Sequence, residues 1–392
     1  MDLSNSIISF IDGLGVVQGL LFGFLLILLH SKTNKPTLYL GCFIILFALE
    51  PIPNILHDLN ILKENPRLEL LPVGFHFLAF PLLLTYIEKT SILDKKKIHY
   101  WTLYPGYLEV FITMIVFLLP TERKLLIKNS YISDIYFFSG LFYSIYIIYL
   151  ILKHIKNHVV EVENQYAYIH ENTLSWTKKF AFACILFNVL IFINFFIDSH
   201  VWYTWISIFN VILLYWVSFK GITQENIVAL TWKEKSKEQE NLLSKNTLKN
   251  SNDKSSTEQS SLNLSPKNNS ELMTSEAAKI IFQTIENYIK NSECFLNDKL
   301  TIVDIAEGID IHPKRISFAI NSIASLNFNS FVNSYRIEFA KKLLINKEKQ
   351  NLSIEGIGLE SGFHSKATFY NAFKKSENMT PAQYKTKTNI IK

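Results

Sequence analysis

Residues 353–385 read SIEGIGLESGFHSKATFYNAFKKSENMTPAQYK. Ser353 stands before a short periodic run, Ile354, Ile357 and Gly358, where its hydroxyl can accept from an amide of a first helical turn. Ser361-Gly362-Phe363 interrupts the run, and Gly362 can take the positive φ of a tight turn. A second helix is expected over 364–375, burying Phe369 and Phe373 at i and i+4. Thr380-Pro381 opens a third, with Thr380 as cap and Pro381 as first helical residue. Two short helices joined by a turn of about three residues form a helix-turn-helix unit.

The pattern has an upstream counterpart, LTIVDIAEGIDIHPKRISFAINSI at 300–323. Thr301 and Asp304 approximate a capping box, and Ile302, Ile305, Ala306 and Ile309 form one face. The run breaks at Asp310–His312, and Pro313 opens a helix over 313–323 that buries Ile316, Ile320 and Ile323. Between the two units, Phe331, Tyr335, Phe339 and Leu343 recur every four residues along one long amphipathic helix, Phe328–Ile345. An entry helix starts near Glu276, with Ile281, Ile285, Tyr288 and Ile289 on one side.

Taken together, residues 276–388 resemble the DNA-binding domain of AraC-type (arabinose-operon-type) transcription regulators. Ile305-Ala306, Phe331, Tyr335-Arg336-Ile337 and Ala340 carry the likeness in the first half. Ile354, Ile357, Gly362-Phe363, Phe369, Phe373-Lys374, Thr380-Pro381 and Tyr384 carry it in the second. Asp310 and Asn378 stand where that family usually has glycine, and both tolerate left-handed backbone less well. Gly356 and Gly358 lie inside a helix, where each costs about 0.5–1 kcal/mol relative to alanine, so marginal stability is expected.

The resemblance implies that the second helix of each unit enters the major groove by its N-terminal residues. The base-facing positions are then Lys314, Arg315, Ser317 and Phe318 on one helix, and Lys366, Ala367, Tyr370 and Asn371 on the other. Arg315 or Lys366 would read guanine, Asn371 adenine, and Phe318 or Ala367 a thymine methyl. Arg336, Lys374, Lys375 and Lys385 are the phosphate-contact candidates, with a hydrogen-bonding role inside the domain as the alternative for Arg336. The two recognition helices would meet double-stranded DNA about one helical turn, ~34 Å, apart.

The rest of the chain is a different material. Of 392 residues, 49% are hydrophobic and only 19% charged, against ~25% charged in ordinary soluble domains. Residues 1–232 hold 16 basic and 16 acidic side chains, whereas 233–392 hold 23 and 18, so the whole excess of positive charge is C-terminal. Residues 274–392 carry 16 basic against 12 acidic groups, a modest excess that implies weak, salt-sensitive non-specific DNA binding.

Seven apolar stretches, 7–29, 37–56, 70–87, 100–119, 131–152, 180–197 and 201–219, come near the length that ~30 Å of hydrocarbon requires. The first lacks a basic leader region and is expected to be a retained helix. Residues 1–30, with GVVQGLLFGFLLIL at 15–28, also resemble the membrane-anchored bacterial members of the AraC group. Alternate loops hold ten Lys or Arg against five, which places the N-terminus outside and everything after Lys220 in the cytoplasm.

Residues 233–273 are rich in Ser, Asn, Lys and Glu and poor in aromatics, and are expected to form a flexible linker. The expected architecture is all-α: a seven-helix transmembrane bundle (1–232), that linker, and a domain with two helix-turn-helix units (274–392).

Ionisable groups within spans are costly, so Glu50, His76 and Glu109 are candidates for a signal site, with interhelical hydrogen bonding as the competing reading. No catalytic motif is present, and no cofactor is expected. His154 and His158 are four apart without a third ligand, and three scattered cysteines give neither a disulfide framework nor a metal site. The expectation is a one-component transcription regulator of the bacterial inner membrane. Its partners are DNA, the bilayer and an unknown signal ligand, with RNA polymerase and a second copy of the chain as further candidates. A transporter or membrane enzyme fused to a regulatory module, or a bundle that only anchors, are the alternatives.

Overall fold

The structure, a computed structural model, describes residues 3–30, 36–93, 98–168, 174–197, 199–223, 275–346 and 352–390. The linker expected at 233–273 lies outside the described residues. The described residues are helical, with no strand among them. They form two compact units, Met1–His158 with Glu171–Leu248, and Val159–His170 with Lys249–Lys392.

The first unit contains α1 (Leu3–Leu25), α2 (Thr37–Leu49), α3 (Ile52–Asp58), α4 (Ile61–Glu64), α5 (Ala79–Thr90), α6 (Tyr104–Phe117), α7 (Thr121–Lys128), most of α8 (Tyr131–Gln165), α9 (Ser175–Asn194) and α10 (His200–Thr223). Its core is aromatic: Phe43, Phe47, Phe80, Phe180 and Phe187 interlock with ring centroids 5.5–6.3 Å apart. The outer faces stay apolar, with Phe10, Val17, Phe111 and Trp205 more than half exposed, as suits lipid rather than water. Gly23 and Gly41 let α1 and α2 meet backbone to backbone: a Cβ on either would lie 2.8–3.0 Å from the other's carbonyl oxygen.

Among the described residues, five helices are long and apolar enough to cross a membrane: Ile7–Leu28, Thr37–Asp58, Tyr131–Gln165, Ser175–Asn194 and Val201–Thr223. The expected third and fourth spans are shorter. In 70–87 the helix starts only at Ala79, and in 100–119 a 3-10 turn, Tyr100–Leu103, precedes the 14 residues of α6. The third stretch shows a local exchange of hydrogen bonds. Glu109 of α6 accepts from the amides of His76 and Phe77, each at 3.0 Å, and so satisfies backbone that would otherwise need a helix. Apolar composition marks where the chain can lie in lipid, but it does not register this substitution. At the end of α2, the helix breaks at Glu50 and Pro51, the kink that Pro51 and Pro53 dictate.

The second unit contains α11 (Ser275–Ser292), α12 (Ile302–Ile309), α13 (Pro313–Ala324), α14 (Phe328–Ile345), α15 (Ile354–Glu360), α16 (Lys366–Glu377) and α17 (Pro381–Ile390). One core gathers Ile285, Ile305, Ile316, Ile320 and Val332. The other gathers Ile337, Leu344, Ile357, Phe369 and Phe373. The two ends of α14 belong to different cores, so this helix sets the spacing between the helix pairs α12–α13 and α15–α16.

Candidate functional site

Each helix pair is fixed at its ends by side chains the sequence marks. The hydroxyl of Thr301 accepts from the amide of Asp304, whose carboxylate accepts from the amide of Thr301 at 2.7 Å, closing a capping box on α12. Asp310 then turns the chain at φ 53°, and Asn378 does the same after α16 at φ 55°. Both therefore take the left-handed conformation for which glycine is the usual residue. Gly362 turns between α15 and α16 at φ 83°, where a Cβ would lie 2.5 Å from the Phe295 carbonyl oxygen. The second helix of this pair starts at Lys366, not His364. Ser365 leaves the helix to cap it, accepting from the amide of Thr368.

On α13, Lys314, Arg315 and Phe318 are exposed, and Ser317 is half-buried, accepting from Asn321 at 3.4 Å. Phe318 is 47% exposed, an apolar ring left uncovered beside two cations. On α16, Lys366, Ala367 and Asn371 are exposed, while Tyr370 packs half-buried against Phe369 at 5.8 Å. Lys366 meets Glu355 at 3.5 Å across exposed surface, a pair worth little and easily exchanged for another acceptor. Lys374 and Lys375 are exposed in the last turn of α16, and Lys385 is half-buried on α17.

Arg336 does not belong with the phosphate group. It is 1% exposed, and its guanidinium donates to the carbonyls of Phe295 (2.7 Å), Asn297 (2.7 Å) and Ala167 (3.3 Å). Burial lowers its pKa to about 10, against the opposing pull of Asp298 and Cys294. The side chain binds loops together from inside, the alternative that its sequence position left open. Lys341 is likewise engaged, at 2.8 Å from Glu338 and 3.3 Å from Glu377, and Glu338 leads in raising its pKa.

Residues 305–387 match the family described as a helix-turn-helix domain, a span running from within α12 into α17. The C-terminal region is an AraC-type helix-turn-helix domain. Two regulators of Escherichia coli (strain K12) are similar to it. One, named uncharacterized HTH-type transcriptional regulator YijO, is 25% identical over 116 residues, 30% of this chain and 39% of that one. The melibiose operon regulatory protein is 31% identical over 86 residues, 22% of this chain and 28% of that one. The likeness thus spans well under half of either relative. A solved structure from Listeria innocua, described as a protein with unknown function, is 24% identical and covers 27% of this chain and 95% of that one, with a TM-score of 0.24.

The AraC-type domain shares its unit with a segment that sequence reading left in the membrane half. At the end of α8, the amide of Ala167 donates to the Leu300 carbonyl at 3.0 Å, and its carbonyl accepts from Asn329 at 2.7 Å as well as from Arg336. Asn327 donates to Glu163 at 2.9 Å, and the ring of Tyr168 lies 4.4 Å from that of His364, just before the cap of α16. Ala167 is 2% exposed, inside the first core of the domain. The available sequence signal was the long polar extension, Lys153–Gln165, after an apolar span.

Of the expected signal residues, Glu50 and His76 come together at 3.6 Å. Glu109 touches the same segment but holds backbone: beside the two amides it accepts from the Tyr136 hydroxyl at 2.6 Å. A cavity of about 390 Å³ lies in the first unit, lined by Glu50 and His76 and by Asp12, Asn54, Tyr203 and Asn210, but not by Glu109. These four additions come from α1, α3 and α10. Asp12 was visible as the single charge of its apolar stretch, but nothing in its spacing joins it to Glu50.

Proposed function

We propose that the chain is a one-component transcription regulator of the bacterial inner membrane, with DNA binding by two helix-turn-helix units controlled from the transmembrane bundle. The observation that carries this reading is the presence, in one chain, of five helices long and apolar enough to cross a membrane and of an AraC-type helix-turn-helix domain.

In this reading the five long helices cross the membrane together with the shorter α5 and the path Tyr100–Phe117, seven in all. The N-terminus is outside and the DNA-binding domain in the cytoplasm. Five crossings without those two would leave both ends of the chain, and the far end of α8, on the same sides. In the cytoplasm, α13 and α16 present Lys314, Arg315, Ser317, Phe318, Lys366, Ala367, Tyr370 and Asn371 to base edges, with Lys374, Lys375 and Lys385 at phosphates. A second copy of the chain would double the recognised elements, and RNA polymerase is the partner through which transcription responds.

The test interrupts α8 near the residue where the chain passes from one unit to the other. A Gly-Ser-Gly-Ser insertion after Lys156 should leave membrane sedimentation and DNA affinity unchanged, yet alter transcription of a reporter bearing the chain's selected site. Reporter output identical to that of the unmodified chain would contradict coupling through α8.

A further inference from the structure

The cavity bounded by α1, α3, α9 and α10 has a chemistry of its own. Asp12 is 3% exposed; Ser207 and Tyr203 reach its carboxylate, yet Oδ2 has no donor among the described residues. Asn210, two turns of helix beyond Tyr203, is 7% exposed, and its Oδ1 also lacks a donor. Both side chains line the same cavity, together with Glu50. Asp12, Asn210 and Glu50 thus contribute to one wall, and neither Lys nor Arg lines it. A buried carboxylate oxygen without a partner is expensive, and within a membrane such a group is a functional-site hypothesis by default.

Phe187, Ile191, Phe195 and Ile206 supply an apolar side of the wall, beside the polar Asn54, Asn194, Tyr203 and Ser207. A volume of about 390 Å³ lies in the range of small-molecule sites, ~300–1,000 Å³. Among the described residues, no group of three or more His, Cys, Asp or Glu is arranged to hold a metal ion. The complementary ligand has several N–H donors, a positive charge and an apolar body. A primary ammonium has three donors and no acceptor, and aromatic faces add cation–π attraction.

We propose that this cavity binds a small primary amine, its ammonium held by Asp12 and Asn210 and its apolar body against Phe187 and Phe195. The proposal rests on the reading of the bundle as a sensor and names the ligand class that the sensor takes. Of the three sequence candidates, Glu50 and His76 remain on the wall of the site, whereas Glu109 becomes a positioning residue for the 74–78 segment.

The full chain in lipid nanodiscs is titrated with primary amines carrying bodies of two to ten carbons. The matched alcohols, the matched carboxylic acids and sodium chloride serve as comparisons. Melting is followed by tryptophan fluorescence, to which Trp202 and Trp205 on α10 contribute. At least one amine should raise the midpoint saturably, its alcohol should need about tenfold higher concentration, and the acid and sodium should do nothing. D12N should weaken amine binding by about tenfold or more. N210L serves as a second variant, and each is accepted only if monodisperse. The proposal is overturned if no amine shifts the midpoint, if alcohol or acid matches the amine, if sodium alone gives the full shift, or if both variants bind as the parent does. Binding of duplex DNA is measured on the same preparations. Its loss would sink the regulator reading and leave the amine result standing, while intact DNA binding without an amine response sinks only this proposal.

Discussion

Arg336 shows how one side chain can look like a ligand contact and act as a bolt. Its three carbonyl partners lie on the 295–297 loop and on Ala167, elements that share no helix with it. Replacing it with Met should cost about 1–3 kcal/mol for each carbonyl left without a donor. Hydrogen exchange on the full chain should show α14 losing protection in R336M; unchanged protection, together with a salt dependence of DNA binding reduced by about one ion, would restore the phosphate role. Two glycines separate in the same way. Propensity marks both Gly356 and Gly358 as costs, but the structure distinguishes them. A Cβ at 358 would lie 2.7 Å from Phe369, whereas at 356 nothing comes nearer than the Ser353 hydroxyl at 3.3 Å. G356A should stabilise the second unit by up to about 1 kcal/mol and G358A should destabilise it, read as opposite shifts in urea midpoint by circular dichroism.

At the scale of elements, the capped helices of the second unit were legible because each end carries its own chemistry. Thr301 with Asp304, Pro313, Ser353, Gly362 and Thr380-Pro381 all act where their side chains predict. The start of α16 was misread by two residues because Ser365 caps through Thr368, a weaker pair than Ser with Glu. The third apolar stretch was legible as apolar, but the late start of its helix at Ala79 was not, since the Glu109 carboxylate supplies bonds to residues 76 and 77 that no periodicity records. For α13 and α16 the predictions concern specificity. N371A should cost about 1–3 kcal/mol on the selected site and relax preference at one base pair. K375A should weaken all duplexes alike and lower the salt slope by about one. Competition binding at several salt concentrations separates the two, and equal behaviour of the variants would remove Asn371 from the reading face.

At the scale of the whole molecule, composition separates an apolar part of the chain from a basic one. It could not assign residues 159–168, whose character fits a loop as well as a docking segment; only tertiary contacts of Ala167 to Leu300, Asn329 and Arg336 place them with the DNA-binding domain. The same holds for Asp12 and Asn210, nearly two hundred residues apart in sequence and on one cavity wall in the fold. The central claim is that a membrane-embedded chain reads DNA sequence through α13 and α16. Selection of binding sites from random duplexes by the full chain in nanodiscs tests it most directly. The account predicts enrichment of two short elements about one helical turn apart, abolished in the R315A/N371A double variant. Retention of duplexes without sequence enrichment, or an enriched sequence unaffected by that double variant, would contradict it.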